Sequence, residues 1–324
     1  MSISVDLEFA NARIKSLEKN LLTSDKIVRL VDCHDVSEAL KILAENDYGD
    51  GLLSVDTDAD ELLLSEENKA IQIFAELMPS GYGLETFVLK NDFHNAKACY
   101  KSKISGKPNQ RALKPAGLFK VEEAIDSEKY DDLPLEMKSA LLSLDKEKEK
   151  RNLTGLDIDL ALDQAFFREV LKILKTSKKS VVSDYYKTLI DCTNIRSFIR
   201  CKKLNAKTSF FEKCFIEGGA LTLDRYLSMY SLSIAEINEK MKFTDWKEAF
   251  LVATDHLVAF ETYMDNMLLR LVKKQKSEMF TPSPLLGYYL GKLCEIKVVR
   301  TILTCLKNGT SKQEIRVRIR ETYA

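Results

Sequence analysis

Four things are missing from these 324 residues: a Cys-x-x-Cys pair, a Gly-rich phosphate loop, a surplus of either charge, and a long apolar run. Each absence excludes a class. Seven cysteines, an odd number, lie scattered at 33, 99, 192, 201, 214, 294 and 305. They read as reduced, mostly buried thiols of a cytosolic protein. Cys33 and His34 are neighbours, but no second ligand pair accompanies them, so no metal site is expected. Lys plus Arg equals Asp plus Glu at 49 each, which argues against a general nucleic-acid binder, since that class carries a basic excess. No apolar stretch reaches the roughly 20 residues that a membrane helix needs. The opening "MSISVDLEFANARIKSLEKNLL" carries acids and has no signal-peptide core, so a cytosolic location is expected. Gly-x-Ser-x-Gly is absent. His94 is isolated, and so is His256, which sits in an apolar helical pattern and is expected in the core. The carboxylate pairs Glu122–Glu123 and Asp131–Asp132 fall in a polar, exposed-looking stretch. No catalytic residue, cofactor site or metal site is nominated.

What is present is helix. "EFANARIKSLEKNLL" spaces Phe9, Ala12, Leu17 and Leu21 as one helical face, and "DVSEALKILAEN", "ALDQAFFREVLKILK" and "ATDHLVAFETYMDNMLLRLVKK" follow the same period. The 12 glycines and 6 prolines fall mostly between such patterns, where helices stop. Strand-length alternation is scarce. An all-α fold is expected.

The chain also repeats. "NDFHNAKACYKSK" (91–103) lies over "IDCTNIRSFIRCKK" (190–203): Asp92 meets Asp191, Asn95 meets Asn194, Lys97 meets Arg196, Lys101 meets Arg200 and Lys103 meets Lys202, all 99 residues apart. A third, degraded copy, "GKLCEIKVVRTIL" (291–303), sets Glu295 against Asn194 and Lys297 against Arg196 at an offset of 101, with Thr301 where a cation stood. Around Glu38 and Glu236 the flanks match at 198, as do Asp47 with Asp245 and Tyr48 with Trp246. The N-terminal "FANAR" echoes "FHNAK", Asn11 and Arg13 standing 84 before Asn95 and Lys97. Downstream of the three copies, "AGLFKVEEAI", "GGALTLDRYL" and "NGTSKQEIRV" each put glycine before a fresh helical pattern, and Ser311 and Glu314 have capping-box spacing. Three helical-bundle units are expected at 1–114, 115–216 and 217–324, with "KSKISGKPNQRALKPAG" (101–117) as the clearest linker. The run "DKEKEKR" (145–151) reads as a solvated helix face.

On the repeated helix, Ile195, Phe198 and Ile199 share a core stripe with Asn194 at its edge. An Asn there needs a hydrogen bond, so Asn95, Asn194 and Glu295 are taken as structural repeat positions. Arg196, Arg200 and Lys203 follow as a basic ridge. Three readings stand open: ion pairs with neighbouring acidic helices, a contact surface for an acidic protein partner, or phosphate and RNA binding, which lacks interleaved aromatics.

The order of "ANAR" (10–13), "NDYGDG" (46–51), "LIDCTNIRSFIRCKKLN" and "FIEGGAL" resembles the C subunit of the prokaryotic V-type (A-type) rotary ATPase, counterpart of the d subunit in the vacuolar enzyme. The likeness spans essentially the whole chain. It departs at Glu295 and Thr301. The resemblance implies a non-enzymatic funnel of three pseudo-threefold helical units, one copy per complex, on the cytoplasmic face of the membrane. It implies the D and F proteins of the central shaft and the proteolipid rotor ring as partners, with the stationary a protein nearby and no nucleic acid. Such a socket couples ATP hydrolysis or synthesis to proton or sodium transport. The residues nominated for its interface are Lys97, Lys101, Arg196, Arg200 and Lys203, with Lys297 and Arg300 in the third copy. The alternative is a helical-repeat scaffold that binds some other protein through the basic face.

Overall fold

The computed structural model describes residues 6–51, 57–107 and 113–324, and every regular element among them is a helix. In chain order these are α1 (Leu7–Leu17), α2 (Ser24–Asp32), α3 (Val36–Ala44), α4 (Ala59–Leu77), α5 (Glu85–Ser105), α6 (Val121–Ser127), α7 (Leu135–Lys148), α8 (Gly155–Thr176), α9 (Val181–Lys203), α10 (Thr208–Cys214), α11 (Leu223–Leu227), α12 (Ile234–Met241), α13 (Lys247–Asp255), α14 (Leu257–Lys273), α15 (Ser283–Lys307) and α16 (Lys312–Arg318). The starts are written locally. Thr154, Ser233 and Ser311 each form a capping box with the acidic residue three positions on, and Asp35, Asp58 and Thr222 cap with their side chains alone. Each satisfies backbone N–H groups that a helix start leaves unpaired.

The chain divides into two compact units. One joins Met1–Ser80 to Leu251–Ala324; the other is the continuous stretch Gly81–Phe250. The boundaries near 114 and 216 expected from the repeat both fall inside the continuous unit.

In the discontinuous unit, α15 is the central element, buried along most of its length. α4 lies against it, with Phe74 stacked on Tyr289 at 4.4 Å between ring centroids. α1 is fastened to the segment before α15, because the Asn11 amide donates to the carbonyls of Met279 (2.6 Å) and Thr281 (2.9 Å). The buried face of α1 is Ala10, Asn11 and Ile14, not the expected Phe9, Ala12 and Leu17; Phe9 is exposed. Counting apolar residues alone misplaced that face, since a hydrogen-bonded Asn occupies its middle. Residues 319–324 run as an irregular strap across the unit. Arg320 pairs with Asp265 at 2.6 Å, Glu321 pairs with Arg270, and the Tyr323 ring covers Gly287 and Gly291 of α15. A Cβ at either glycine would overlap that ring.

In the continuous unit, α9 supplies the core. Phe198 is ringed by Phe211, Tyr226, Tyr230 and Phe250, with centroids 5.2 to 6.3 Å apart. Phe87 of α5 meets Tyr185 and Tyr186, and Phe93 meets Phe166 of α8 edge-on. Three expectations need correction. Residues 101–105 of the supposed linker complete α5, which Gly106 closes in a left-handed conformation (φ +66), while 108–112 lie outside the described residues. Residues 146–151 of the charged run are exposed as expected, but Asp145 is half-buried and accepts from the hydroxyls of Tyr100 and Tyr130, both at 2.9 Å. His256 is exposed at the break between α13 and α14, because the helix ends there at Asp255 and a new one begins at Leu257.

Candidate partner interface

The repeated helices α5 and α9 use their shared residues in the same way. Asn95 Nδ2 donates to the Lys114 carbonyl at 2.8 Å, and the Lys114 N–H donates back to Oδ1 at 2.7 Å. Asn194 forms the same two-way clasp with Ile216, at 2.7 and 2.9 Å, fully buried. A primary amide carries a donor and an acceptor side by side, so it can pair at once with the N–H and the C=O of one residue. One turn earlier, Asp92 accepts from the N–H groups of Leu118 and Phe119 (2.9 and 3.0 Å), and Asp191 accepts from Ala220 and Leu221 (2.7 and 2.9 Å). Burial pushes both carboxyls above the ordinary carboxylate range, and the two N–H donors offset part of that. Gly117 and Gly219 let the backbone approach, since a Cβ at either would collide with the Asp92 or Asp191 carboxylate. Further on, Lys103 Nζ binds the Ile125 carbonyl at 2.9 Å, and Lys202 Nζ binds those of Tyr230 and Leu232 at 2.6 and 2.7 Å.

The third copy departs. Glu295, 3% exposed, accepts from the Leu22 N–H (2.5 Å), the Tyr48 hydroxyl (2.7 Å) and Lys292 Nζ (2.8 Å). Lys292, which stands where Asp191 stands in the second copy, also faces Glu66 at 3.5 Å and lies over the Tyr48 ring, 4.0 Å from its centroid. Burial together with Glu295 raises the Tyr48 hydroxyl well above its usual pKa. The backbone that completes this copy therefore comes from early in the chain. Gly309, expected to match Gly117 and Gly219, has nothing within 4 Å of the place a Cβ would take, and merely follows the end of α15 at φ +64.

The nominated cations divide into two groups. Lys97 pairs with Asp163 (2.7 Å) and Lys101 with Asp159 (2.6 Å), both acids on α8; Lys297 pairs with Asp265 (3.1 Å) and Arg300 with Asp60 (2.7 Å). Arg196 is half-buried and has partners within the chain. Arg200 and Lys203 are exposed and form no ion pair among the described residues. The turn beyond them adds exposed Leu204, Lys207, Phe210 and Lys213. Sequence reasoning assigned no role to Asp92, Asp191, Lys292, Tyr48, Leu22 or Glu66. The aspartates were legible as repeat positions, Tyr48 as the match of Trp246 and the Gly117–Gly219 pair as a spacing of 102. The contacts of Leu22 and Tyr48 with Glu295, and of Glu66 with Lys292, were not, because they join residues hundreds of positions apart.

Among the described residues, no helix is long and apolar enough to cross a membrane, and no three His, Cys, Asp or Glu converge as metal ligands would. The family model described as ATP synthase (C/AC39) subunit matches residues 10–318. The C subunit of the A-type ATP synthase of Pyrococcus abyssi is 24% identical over 97% of this chain and 90% of its own length. The C subunit of the V-type sodium ATPase of Enterococcus hirae is 22% identical over 97% and 98%. The C subunit of the A-type ATP synthase of Methanocaldococcus jannaschii is 23% identical over 95% and 84%.

Proposed function

Given that the chain belongs to the ATP synthase (C/AC39) subunit family, we propose that it is the non-catalytic central-stalk component of a V/A-type rotary ATPase. It is the socket between the D and F shaft and the membrane rotor ring, on the cytoplasmic face, with the stationary a protein nearby. The three related helical stretches, 1–114, 115–216 and 217–324, are the repeated modules from which that socket is proposed to be built. Through it, ATP hydrolysis or synthesis at other subunits is coupled to proton or sodium transport. No step of that chemistry belongs to this chain.

The observation that carries the reading is what the recurring polar residues do. Asp92 and Asp191, Asn95 and Asn194, and Lys103 and Lys202 all bind backbone of their own chain. Repetition there serves geometry, as a stiff torque-bearing part requires.

Lys97, Lys101, Arg196, Arg200, Lys203, Lys297 and Arg300 form the proposed contact with the shaft. Arg200 and Lys203 contribute most, since they need break no ion pair to engage an acidic partner. The experiment is the double variant Arg200→Glu with Lys203→Glu in the native complex. The expected result is loss of co-purifying shaft proteins at lower salt than for the wild type, with ATP hydrolysis by the detached head retained. A coupled complex of unchanged salt tolerance overturns the assignment. Tagged wild-type protein that recovers no ATPase components from native membranes overturns the function itself.

A further inference from the structure

We infer that the discontinuous unit is an electrostatic clasp: an acidic early segment docks onto a basic late segment, and it opens and closes independently of the continuous unit. Neutrality of the whole chain conceals this. Residues 1–80 carry 7 Lys and Arg against 17 Asp and Glu, whereas residues 251–324 carry 12 against 7. The two segments meet within one compact unit although 170 residues, Gly81–Phe250, separate them along the chain.

The ion pairs that join the described residues of the two segments all have one polarity. Among the described residues, Glu18 faces Lys276 (4.0 Å), Asp32 faces Arg316 (2.8 Å), Asp60 faces Arg300 (2.7 Å) and Glu66 faces Lys292 (3.5 Å). In each pair the acid is early and the base late. Lys312 adds a hydrogen bond to the Asp32 carbonyl, placing a second late cation on α2. Beneath this rim the segments share an apolar core, in which Leu22, Leu30, Leu40 and Leu63 pack with Val298 and Ile302. Glu295 ties the late helix to the early Leu22 N–H and Tyr48 hydroxyl.

Two physical consequences follow. Bringing the segments together closes a very long loop, an entropic cost that the continuous unit does not bear in forming. Opposite net charges steer that encounter and speed it. The Asp60–Arg300 and Asp32–Arg316 pairs are substantially exposed, so salt screens them, whereas Glu66, Lys292 and Glu295 are buried and screened little. The clasp is thus salt-loosened at its rim and held by its core.

The test is hydrogen exchange on the full chain at about 0.05 M and 0.5 M salt, where screening lengths differ several-fold. The expected result is an approximately tenfold loss of protection in α2, α4 and α15 at high salt. A smaller loss is expected in α5 and α8, whose Lys97–Asp163 and Lys101–Asp159 pairs are screened too but join nearer stretches of chain. Reversing the rim with Arg300→Asp and Arg316→Asp reproduces the loss at low salt. Adding Asp60→Arg and Asp32→Arg restores protection, because the pairs are re-formed with exchanged signs. Equal salt responses in the two units overturn the inference, and so does a fourfold swap that fails to restore protection. The wild-type salt comparison stands whether or not any variant folds.

Discussion

Asn194 and Glu295 occupy matching places on α9 and α15, yet they solve the same problem with different chemistry. Asn194 holds a segment 22 residues downstream with a neutral two-way amide clasp. Glu295 holds a segment 273 residues upstream, and its carboxylate needs a buried lysine to be tolerable there. The neutral device is local and self-sufficient. The ionic one joins distant parts of the chain, and it fails as a group if one member is lost. The comparison teaches that a repeat can keep its address while its chemistry follows whatever the connectivity supplies.

The largest expected effect comes from breaking the ionic copy. Glu295→Ala leaves Lys292 facing only Glu66 and strands the Leu22 N–H and Tyr48 hydroxyl, costing about 3–5 kcal/mol. Chemical denaturation followed by a probe in the discontinuous unit measures it, and Glu295→Asn recovers little, because the shorter side chain cannot span the three partners. Next in size is Gly219→Ala, at about 2–3 kcal/mol, since the new methyl displaces the Asp191 carboxylate from two N–H donors. Gly309→Ala, at the position that the repeat makes equivalent, costs only about 1 kcal/mol of backbone strain. If both glycine variants lose the same stability, the contrast between the copies is wrong.

Asn194→Ala is expected to cost about 1–3 kcal/mol by leaving both polar groups of Ile216 unpaired in the interior. Asn95→Ala costs less, because its site is only partly buried.

The smallest effect is in titration. Asp92 and Asp191 have raised folded-state pKa values, so their contribution to stability is fully present below the ordinary value of 3.8 and is lost as pH rises through the folded value. Glu136 is held low by Lys172 and Arg168, so its contribution has the opposite sign and is lost on acidification. Carbon-detected titration of the three carboxyl groups checks the order; Glu136 titrating above Asp191 would reverse it.

Much of this was readable in advance. The 99-residue offset identified α5 and α9 as copies, and Asn at the edge of an apolar stripe announced a hydrogen bond that α9 indeed makes with Ile216. Capping residues such as Ser311 and Glu314 announced a helix start. The face of α1 was missed because its centre is polar, and the end of α13 was missed because no glycine or proline punctuates the chain at His256. At the candidate interface, sequence ranked seven cations as equals. The structure separates them, since pairing depends on whether an acid such as Asp163 or Asp265 happens to face them across a neighbouring helix.

By itself the sequence determined the all-helical class, the duplication of α5 and α9 and the apolar stripe of the repeated helix, because helical period, caps and recurrence are properties of neighbours along the chain. Only the tertiary structure decided which backbone each repeated side chain holds. It also decided that an acidic early segment completes a basic late one. Those choices depend on the meeting of groups hundreds of residues apart, and no local pattern encodes a distance across the fold.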